Sequence, residues 1–428
     1  MTKDKRQDSP RDVSGAEKST ETENAARAEK AARRWIALFF ALFLGAMAIY
    51  MASNYIVDPT EYFAGYKDKE LVNNDNYTRE IKAVYVKRHR EDFNAFVIGG
   101  SKAGALDPER LSALSGLSWY NFYFDFGNFS DYYTFAKYLI ETTDCKEILL
   151  HLSSFEVKYF SQADLADVYK VPAIASRNPF DIIPELLSSL LTDIKTLLKG
   201  FQRIQSGDRY DTEETYAVDV LKSGIRRLVR PEIRYARNPE PYTKRVTLLH
   251  YEANLKKLFQ KEPAESYPAY ELNLEALKKI RDLCKEHEVT LRVVIGASFL
   301  SERFDYECEK YYDYLRRLVK ITDVWDFSDF SPYNLNPWNF SNYKHYRPSV
   351  GNLMIDTMYG VEASQNYQAF GQILNKKNID AYLLQRRASI AALKKQYQIT
   401  GTVEPYGRDD ISHIPDDYGM ETPAAVTS

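Results

Sequence analysis

The chain of 428 residues contains few of the side chains that build metal centres and covalent frameworks. It has three cysteines and six histidines, and Cys145, Cys284 and Cys308 lie far apart. That number and spacing exclude a disulfide framework and a cysteine-rich zinc site, and no motif indicates a cofactor. The net charge of -3 gives no indication of binding to nucleic acid. Metal, cofactor and nucleic-acid functions are therefore not expected.

One long run without charged residues is present near the N-terminus. Residues 35–57 are uncharged, and at about 1.5 Å per residue they are long enough to cross a hydrocarbon layer of roughly 30 Å. A cleaved signal peptide has a shorter apolar core of about 7–15 residues. Arg33 and Arg34 precede the run and Asp58 follows it, so the positive-inside rule places residues 1–34 in the cytoplasm. We expect a single-pass anchor in the cytoplasmic membrane, a disordered cytoplasmic tail over 1–34, and the remainder outside the cytoplasm.

Short apolar segments alternate with helical patterns in much of the remaining sequence. The apolar segments predict five strands that are buried on both faces, at 95–98, 119–124, 148–152, 289–295 and 324–327. Asp107 and Pro108 predict the start of a helix, and Gly116 predicts its end. Repeated β–α units with apolar strands predict a parallel sheet with helices on both faces, which is a three-layer α/β/α domain.

The pattern also divides the chain into segments. We predict a stalk at 58–90, a discontinuous α/β domain at 91–160 and 268–360, a mostly helical insertion at 161–267, a helical extension at 361–400 and a disordered tail at 401–428. In the insertion, residues 184–201 have a wide apolar helical face, which is compatible with a lid, a membrane-surface helix, a partner site or packing on the main domain. A stripe of arginines between Arg226 and Arg237 is compatible with binding anionic groups or with a solvated helix face.

Ser101 and His345 are the candidate catalytic residues. Ser101 follows the predicted strand at 95–98, and parallel sheets bind ligands at the carboxyl ends of their strands. A serine hydroxyl is a poor nucleophile until a base accepts its proton, and imidazole titrates near neutral pH. His345 lies in a polar loop directly before the helix that begins at Pro348. A lone loop histidine is usually structural, but together with Ser101 and a parallel sheet it indicates a nucleophile–base pair.

The sequence around these two residues resembles the SGNH (GDSL-like) hydrolases, particularly the membrane-anchored members that act in bacterial cell-envelope polysaccharide modification. The resemblance covers residues 91–160 and 272–360, and more weakly 54–59. Ile98-Gly99-Gly100-Ser101 resembles the family's sequence block that carries the nucleophile, and Asn342-Tyr343-Lys344-His345 resembles the block that carries the base. The resemblance implies that Gly127, at the end of the block at 121–127, offers a backbone N–H to an oxyanion.

Two positions depart from the family pattern. The family has an aspartate three residues before the histidine, where this chain has Asn342. Asparagine can orient an imidazole but carries no charge to stabilise its protonated form, and in a serine protease that exchange costs about 10⁴ in rate. Asp326 or Asp329 is an alternative carboxylate. The family also has an asparagine after its third strand, where this chain has Ser154 as an alternative hydrogen-bond donor.

The resemblance implies acyl-ester transfer or hydrolysis on a cell-envelope glycan or teichoic-acid-like polymer, through an acyl-Ser101 intermediate. It also implies a partner, a membrane-bound O-acyltransferase that delivers the acyl group. The two departures favour an alternative, in which the domain is a catalytically degenerate scaffold or glycan-binding subunit of a polysaccharide modification or export complex. A free-standing lipase or esterase is a third hypothesis.

Overall fold

A computed structural model describes residues 14–73, 77–153, 179–207, 209–250, 252, 270–299, 308–361, 370–401, 403 and 406–419. The chain divides into two compact units. The first consists of the residues up to Pro59 together with Leu186–Phe201, and the second contains the remainder of the chain.

The first unit is dominated by one long helix, α1 (Ser14–Val57). Its stretch Glu23–Val57 is 35 residues long and is sufficiently apolar to cross a membrane. The helix begins at Ser14, which corrects the prediction of a disordered tail for residues 14–34. Pairs of opposite charge one helical turn apart, such as Arg27 with Glu23 at 2.8 Å, stabilise a polar helical segment that has no apolar face to bury.

The second unit is built on strands that the apolar segments predict well. Its described residues contain nine strands, which are β1 (Leu71–Val72), β2 (Ala95–Gly99), β3 (Trp119–Tyr123), β4 (Glu147–Leu152), β5 (Val218–Val220), β6 (Arg226–Arg227), β7 (Thr290–Ile295), β8 (Val324–Asp326) and β9 (Gln372–Leu374). The main sheet has the order β3-β2-β4-β7-β8-β9. Its first five strands are parallel, and β9 pairs antiparallel with β8. The predicted α/β class, the mostly parallel sheet and the five predicted strands are confirmed, each strand to within one residue at either end.

Helices connect and cover these strands. After α1, the described helices are α2 (Ala64–Lys67), α3 (Thr78–Arg88), α4 (Pro108–Ser115), α5 (Phe129–Thr142), α6 (Ile182–Leu190), α7 (Ile194–Gln205), α8 (Val229–Arg237), α9 (Pro239–Thr243), α10 (Tyr270–Glu286), α11 (Glu309–Ile321), α12 (Pro332–Leu335), α13 (Pro348–Met358) and α14 (Ile379–Thr400). The predicted caps of α4 are present: the Asp107 carboxylate accepts a hydrogen bond from the Glu109 backbone N–H, and Gly116 adopts φ +72°.

The core is divided between two clusters that alternate along β2. Phe96 and Ile98 belong to one cluster, with residues of α5, α10 and α11. Ala95 and Val97 belong to the other, with residues of α4 and α13. Successive side chains of a strand point to opposite faces, and every residue of β2 is buried. An uninterrupted apolar run is therefore what this central strand requires.

The segment predicted as a stalk is part of the folded second unit from Thr60 onward. Helix α3 is buried along most of its length, and Ile81, Tyr85 and Val86 lie in the first core cluster. The charges of Arg79 and Lys82 obscured this burial in the sequence. Both are themselves buried and hydrogen-bonded, Lys82 to three backbone carbonyls.

The predicted insertion differs from a mostly helical segment in two respects. Strands β5 and β6 pair with β1 in a small antiparallel sheet, which strands of two or three residues do not reveal as an alternating pattern. The single apolar helix predicted at 184–201 is two helices, α6 and α7. They separate at Asp193, whose carboxylate caps α7 by accepting hydrogen bonds from the backbone N–H and the hydroxyl of Thr196.

The C-terminal predictions are also corrected. The extension at 361–400 contributes β9 to the main sheet in addition to α14. The tail predicted as disordered is folded where it is described: Ile414 is buried, and the Tyr418 hydroxyl donates to Asp356 at 2.7 Å. A few spaced apolar and aromatic residues anchor this tail, and their spacing matches neither a helix nor a strand.

Candidate active site

Ser101 lies where β2 ends. Gly100 is extended (φ −74°, ψ −173°), and Ser101 begins a short 3-10 helix, Ser101–Ala105. Gly99, the last residue of β2, must be small, because a Cβ there would lie 2.8 Å from both Ala103 Cβ and the His151 carbonyl oxygen. This strand–turn–helix geometry presents Ser101 at the carboxyl edge of the sheet, as the sequence predicts.

Asn121 on β3 holds that turn in place. It is fully buried, and its Nδ2 donates to the carbonyls of Ala103 and Leu106, both at 2.8 Å. Its Oδ1 accepts from the Tyr123 N–H at 3.1 Å. A buried amide with its hydrogen bonds satisfied fixes local geometry. Asn121 is thus a positioning residue whose role the sequence did not indicate.

His345 lies in a tight loop before α13. Phe340 and Tyr346 form an antiparallel bridge, and within the loop the Ser341 N–H donates to the His345 carbonyl at 2.8 Å. On one side the Tyr242 hydroxyl donates to the Ser341 carbonyl at 2.8 Å. On the other, the Tyr346 hydroxyl lies 3.2 Å from Nε2 of the buried His151.

The structure brings the two predicted catalytic residues into direct contact. Ser101 Oγ lies 2.9 Å from His345 Nε2, across 244 residues of sequence. This distance is within the range for a nucleophile and its general base.

Asn342 orients the imidazole from its other side. Its Oδ1 lies 3.1 Å from His345 Nδ1 and also accepts the backbone N–H groups of Lys344 at 2.8 Å and His345 at 2.9 Å. An oxygen in this position accepts a hydrogen bond from Nδ1–H, which leaves the Nε2 lone pair directed at the Ser101 hydroxyl. The Asn342 amide nitrogen donates to the Tyr216 hydroxyl at 3.3 Å. The asparagine therefore favours the tautomer in which Nε2 of His345 carries no proton.

Electrostatics keep this base neutral. Burial, and then the positive charges of Arg226, Lys102 and Lys344, lower the pKa of His345 to about 3. A protonated imidazole is disfavoured both by desolvation and by nearby cations. His345 is therefore neutral across the physiological range of pH, and the same lowering of its pKa makes it a weaker base than an ordinary imidazole.

Neither alternative carboxylate reaches His345. Asp326 is fully buried at the end of β8, where it accepts hydrogen bonds from Ser328 and from the Tyr382 hydroxyl. Asp329 accepts from the Ser331 N–H at 3.2 Å. In the described part of the chain, the hydrogen bonds of the His345 ring go to Ser101 and Asn342. Among the described residues, the imidazole is therefore held by an amide and not by a carboxylate.

Gly127 lies after β3, the strand beside β2. The Phe124 N–H donates to the Gly99 carbonyl at 3.0 Å, so the segment that contains Gly127 begins next to the Ser101 turn. Phe126 is in the left-handed region at φ +51°. A Cβ at Gly127 would lie 2.7 Å from the Tyr132 ring, so packing against this buried tyrosine favours glycine here.

Two buried arginines fix this segment. Arg79 donates to the Asp125 carbonyl at 3.1 Å and to the Asp131 carboxylate at 2.8 Å. Arg226 forms a buried ion pair with the Asp125 carboxylate. The sequence placed Arg226 in a solvated or anion-binding stripe, but it lies on β6 with its charge directed to Asp125. These partners are 46 to 101 residues apart, so no local sequence signal reveals them.

Ser154, the last predicted site residue, lies outside the described residues. Within them, no group of three or more His, Cys, Asp or Glu side chains is arranged to hold a metal ion. Comparison with protein-family models, with curated proteins and with solved structures gives no match.

Proposed function

We propose that this protein is a membrane-anchored serine enzyme, which transfers or hydrolyses acyl esters on a cell-envelope glycan or teichoic-acid-like polymer through an acyl-Ser101 intermediate. The observation that carries the proposal is the 2.9 Å contact between Ser101 Oγ and His345 Nε2 at the carboxyl edge of a parallel sheet. We also propose that the protein is related to the SGNH hydrolases, which its sequence resembles, and that its α/β domain has their three-layer α/β/α arrangement.

The proposed reaction has two steps. First, Ser101 Oγ bonds to the acyl carbon while its proton passes to His345 Nε2; the ester C–O bond of the donor breaks, and the leaving oxygen takes that proton. In the second step an acceptor hydroxyl, from a sugar or water, attacks the acyl carbon and gives its proton to Nε2. The bond from Ser101 to the acyl carbon breaks, and the proton returns to Oγ.

The proposed site stabilises the negative charge of the oxyanion better than the positive charge of the His345 imidazolium. The backbone N–H groups of Ser101 and Gly127 are the proposed donors to the developing oxyanion. The imidazolium that forms on His345 donates a hydrogen bond to Asn342, but the neutral amide supplies no negative charge to stabilise it. We therefore expect a slower reaction than an aspartate-containing triad supports.

Aromatic side chains beside the base support a sugar as the acceptor. Tyr216 is hydrogen-bonded to Asn342 and is 40% exposed, and Tyr343 is a member of the same loop as His345. A tyrosine ring offers a flat apolar face with a polar tip. In this proposal residues 35–57 cross the cytoplasmic membrane with the N-terminus inside, and a membrane-bound O-acyltransferase supplies the acyl group.

Labelling with a fluorophosphonate probe tests the catalytic claim. We expect the full-length protein to be labelled at Ser101, with Ser101→Ala unlabelled. Ser130→Ala, which removes an exposed serine hydroxyl from α5, is the matched control and should react like the wild type. Equal labelling of the wild type and Ser101→Ala would reject the proposal.

One observation favours a second candidate function, that of a non-catalytic scaffold or glycan-binding subunit. The charges of Arg226, Lys102 and Lys344 act on His345, and among the described residues its ring is hydrogen-bonded to Ser101 and Asn342 and to no carboxylate. If the domain is a scaffold, Ser101→Ala and His345→Ala leave polymer acylation in cells intact. Loss of acylation in either variant would exclude this candidate.

A further inference from the structure

Helices α6 and α7 present apolar side chains to solvent within the first structural unit. Exposed large residues recur along Leu186–Phe201, at Leu187, Leu191, Ile194, Leu198 and Phe201. We call these five side chains the apolar face. Large apolar residues that are exposed in such number along one short segment are a signal of an interaction site.

On α7 the exposed apolar residues share one stripe. Ile194, Leu198 and Phe201 are separated by four and three residues and are 67%, 56% and 44% exposed. This spacing places them on one side of a helix. Lys195 and Lys199 lie on an adjacent side and are also exposed.

The third side of α7 attaches the helix to the end of α1. A Cβ at Gly200 would lie 2.6 Å from Val57 Cγ1 and 2.8 Å from Pro59 Cβ, so glycine allows close approach at this point. Leu197, one turn earlier on the same side, is buried. The helix is therefore divided into an attached side, an apolar exposed side and a basic side.

The connection between α6 and α7 is fixed to the same region of α1. The Tyr50 hydroxyl donates to the Thr192 carbonyl, and the Thr192 hydroxyl donates to Asn54 Oδ1. Tyr50 lies 15 residues after Trp35, or roughly 22 Å along a helix. The helix pair is therefore held beside the last third of the apolar run, at the depth where a layer of roughly 30 Å gives way to headgroups.

We propose, on the basis of the membrane anchoring proposed above, that the apolar face lies in the outer interface of the lipid bilayer that α1 crosses. The occupant of the face is lipid: acyl chains contact Leu198 and Phe201, and anionic phosphates lie near Lys195 and Lys199. Three features favour a lipid surface over a protein partner. Exposed large apolar side chains also occur along α1 as far as Ile56, the lysines flank the apolar residues as in interfacial helices, and α1 holds the connection between α6 and α7 near the end of its apolar run.

Spin labels on the full-length protein test this proposal, in vesicles that contain only phosphatidylcholine and phosphatidylglycerol as a mixture. One cysteine is introduced at a time, as Leu198→Cys, Phe201→Cys, Lys195→Cys, Lys199→Cys or Leu42→Cys. The three native cysteines are buried, and burial raises the pKa of Cys145 and Cys284 to about 12, so the unsubstituted chain serves as the blank. The measurement is the accessibility of each label to oxygen, which concentrates in lipid, relative to a water-soluble nickel complex.

We expect labels at positions 198 and 201 to favour oxygen over the nickel complex several-fold, and labels at 195 and 199 to favour the nickel complex. Water-accessible labels at 198 and 201, with a label at 42 buried in lipid, would overturn the interfacial placement while leaving the anchor intact. The face would then be available to a protein partner. A water-accessible label at 42 would overturn the anchoring and this proposal together.

Discussion

The loop that begins at the end of β8 and the loop before α13 use their polar groups in opposite ways. Asp326, at the end of β8, is a fully buried carboxylate that accepts hydrogen bonds from Ser328 and Tyr382 and lies 3.6 Å from Arg386. In the loop before α13, Asn342 holds His345 with a neutral amide. The carboxylate therefore stabilises the fold, while the proposed catalytic base is oriented without a compensating charge.

In a catalytic triad, one carboxylate both orients the histidine and stabilises its positive form. Here Asn342 orients His345 through three hydrogen bonds to its Oδ1. The charges of nearby cations destabilise the protonated form of His345. Substitutions in the two loops should consequently affect different quantities, namely activity at the histidine loop and stability at Asp326.

The largest effect is expected from removing the base. His345→Ala should lower the rate of fluorophosphonate labelling of Ser101 by about 10³-fold or more, because His345 is the hydrogen-bond partner of the Ser101 hydroxyl within the described residues. His89→Ala, which removes a histidine from the end of α3, is the control and should retain the wild-type rate. A His345→Ala protein that is labelled within tenfold of the wild type would show that Ser101 is not activated by this histidine.

The next effect is expected at the structural carboxylate. Asp326→Asn should lower the free energy of unfolding by about 3–5 kcal/mol, because it removes the buried negative charge that faces the buried Arg386 guanidinium. Chemical denaturation in detergent measures this difference. Asp323→Asn changes an exposed carboxylate immediately before β8 and should alter stability by less than about 0.5 kcal/mol. Equal stability of the two variants would remove the distinction between the loops.

A gain of activity is expected when the missing charge is restored. Asn342→Asp should raise the labelling rate about 10²-fold, since a carboxylate stabilises the imidazolium in the transition state. The Tyr216 hydroxyl, which accepts a hydrogen bond from Asn342, can instead donate to the new carboxylate. The increase should vanish in the double variant with His345→Ala, and an increase that persists there would arise elsewhere.

The same variant should change the pH dependence of labelling. In the wild type the pKa of His345 is lowered to about 3, so the imidazole stays neutral as the pH falls through about 6.5. The labelling rate should therefore not decrease near that pH. The carboxylate in Asn342→Asp raises this pKa, so its rate should begin to fall at a higher pH. Unfolded histidine titrates near 6.5 and binds a proton that folded His345 excludes, so folded stability itself decreases as the pH falls below that value. Rates should therefore be compared above pH 5, and identical profiles would contradict the assigned electrostatics.

The smallest effect is expected at Tyr216. Tyr216→Phe removes one hydrogen-bond partner of the Asn342 amide, and it should reduce the labelling rate by less than about tenfold. Tyr66 has the same exposed fraction, 40%, so Tyr66→Phe is a matched control that should leave the rate unchanged. A reduction of 10³-fold in Tyr216→Phe would mean that Tyr216 contacts the reacting groups directly.

The sequence predicted the sheet and the central pair of residues for physical reasons. A strand such as β2 that is buried on both faces requires a continuous apolar run, and the caps of α4 require Asp107 and Gly116. Both signals are local. The position of Ser101 followed from the strand end, and His345 followed from its loop before Pro348.

What the sequence did not predict depends on contacts between distant residues. Arg79 and Arg226 are indistinguishable from surface charges until Asp125 and Asp131 are placed beside them. The folded tail around Ile414 and the two-residue strand β6 likewise have no periodicity to detect. Positioning residues of this kind become visible only when the chain is folded.

Trapping of the acyl intermediate tests the central claim most directly. The full-length protein is mixed with an excess of p-nitrophenyl acetate, quenched with acid within seconds, digested and analysed by mass spectrometry. We predict one acetyl group on the peptide that contains Ser101, and none on that peptide in Ser101→Ala. Absence of acetyl-Ser101 at every time of quenching, while the ester is turned over at the wild-type rate by Ser101→Ala, would contradict the account.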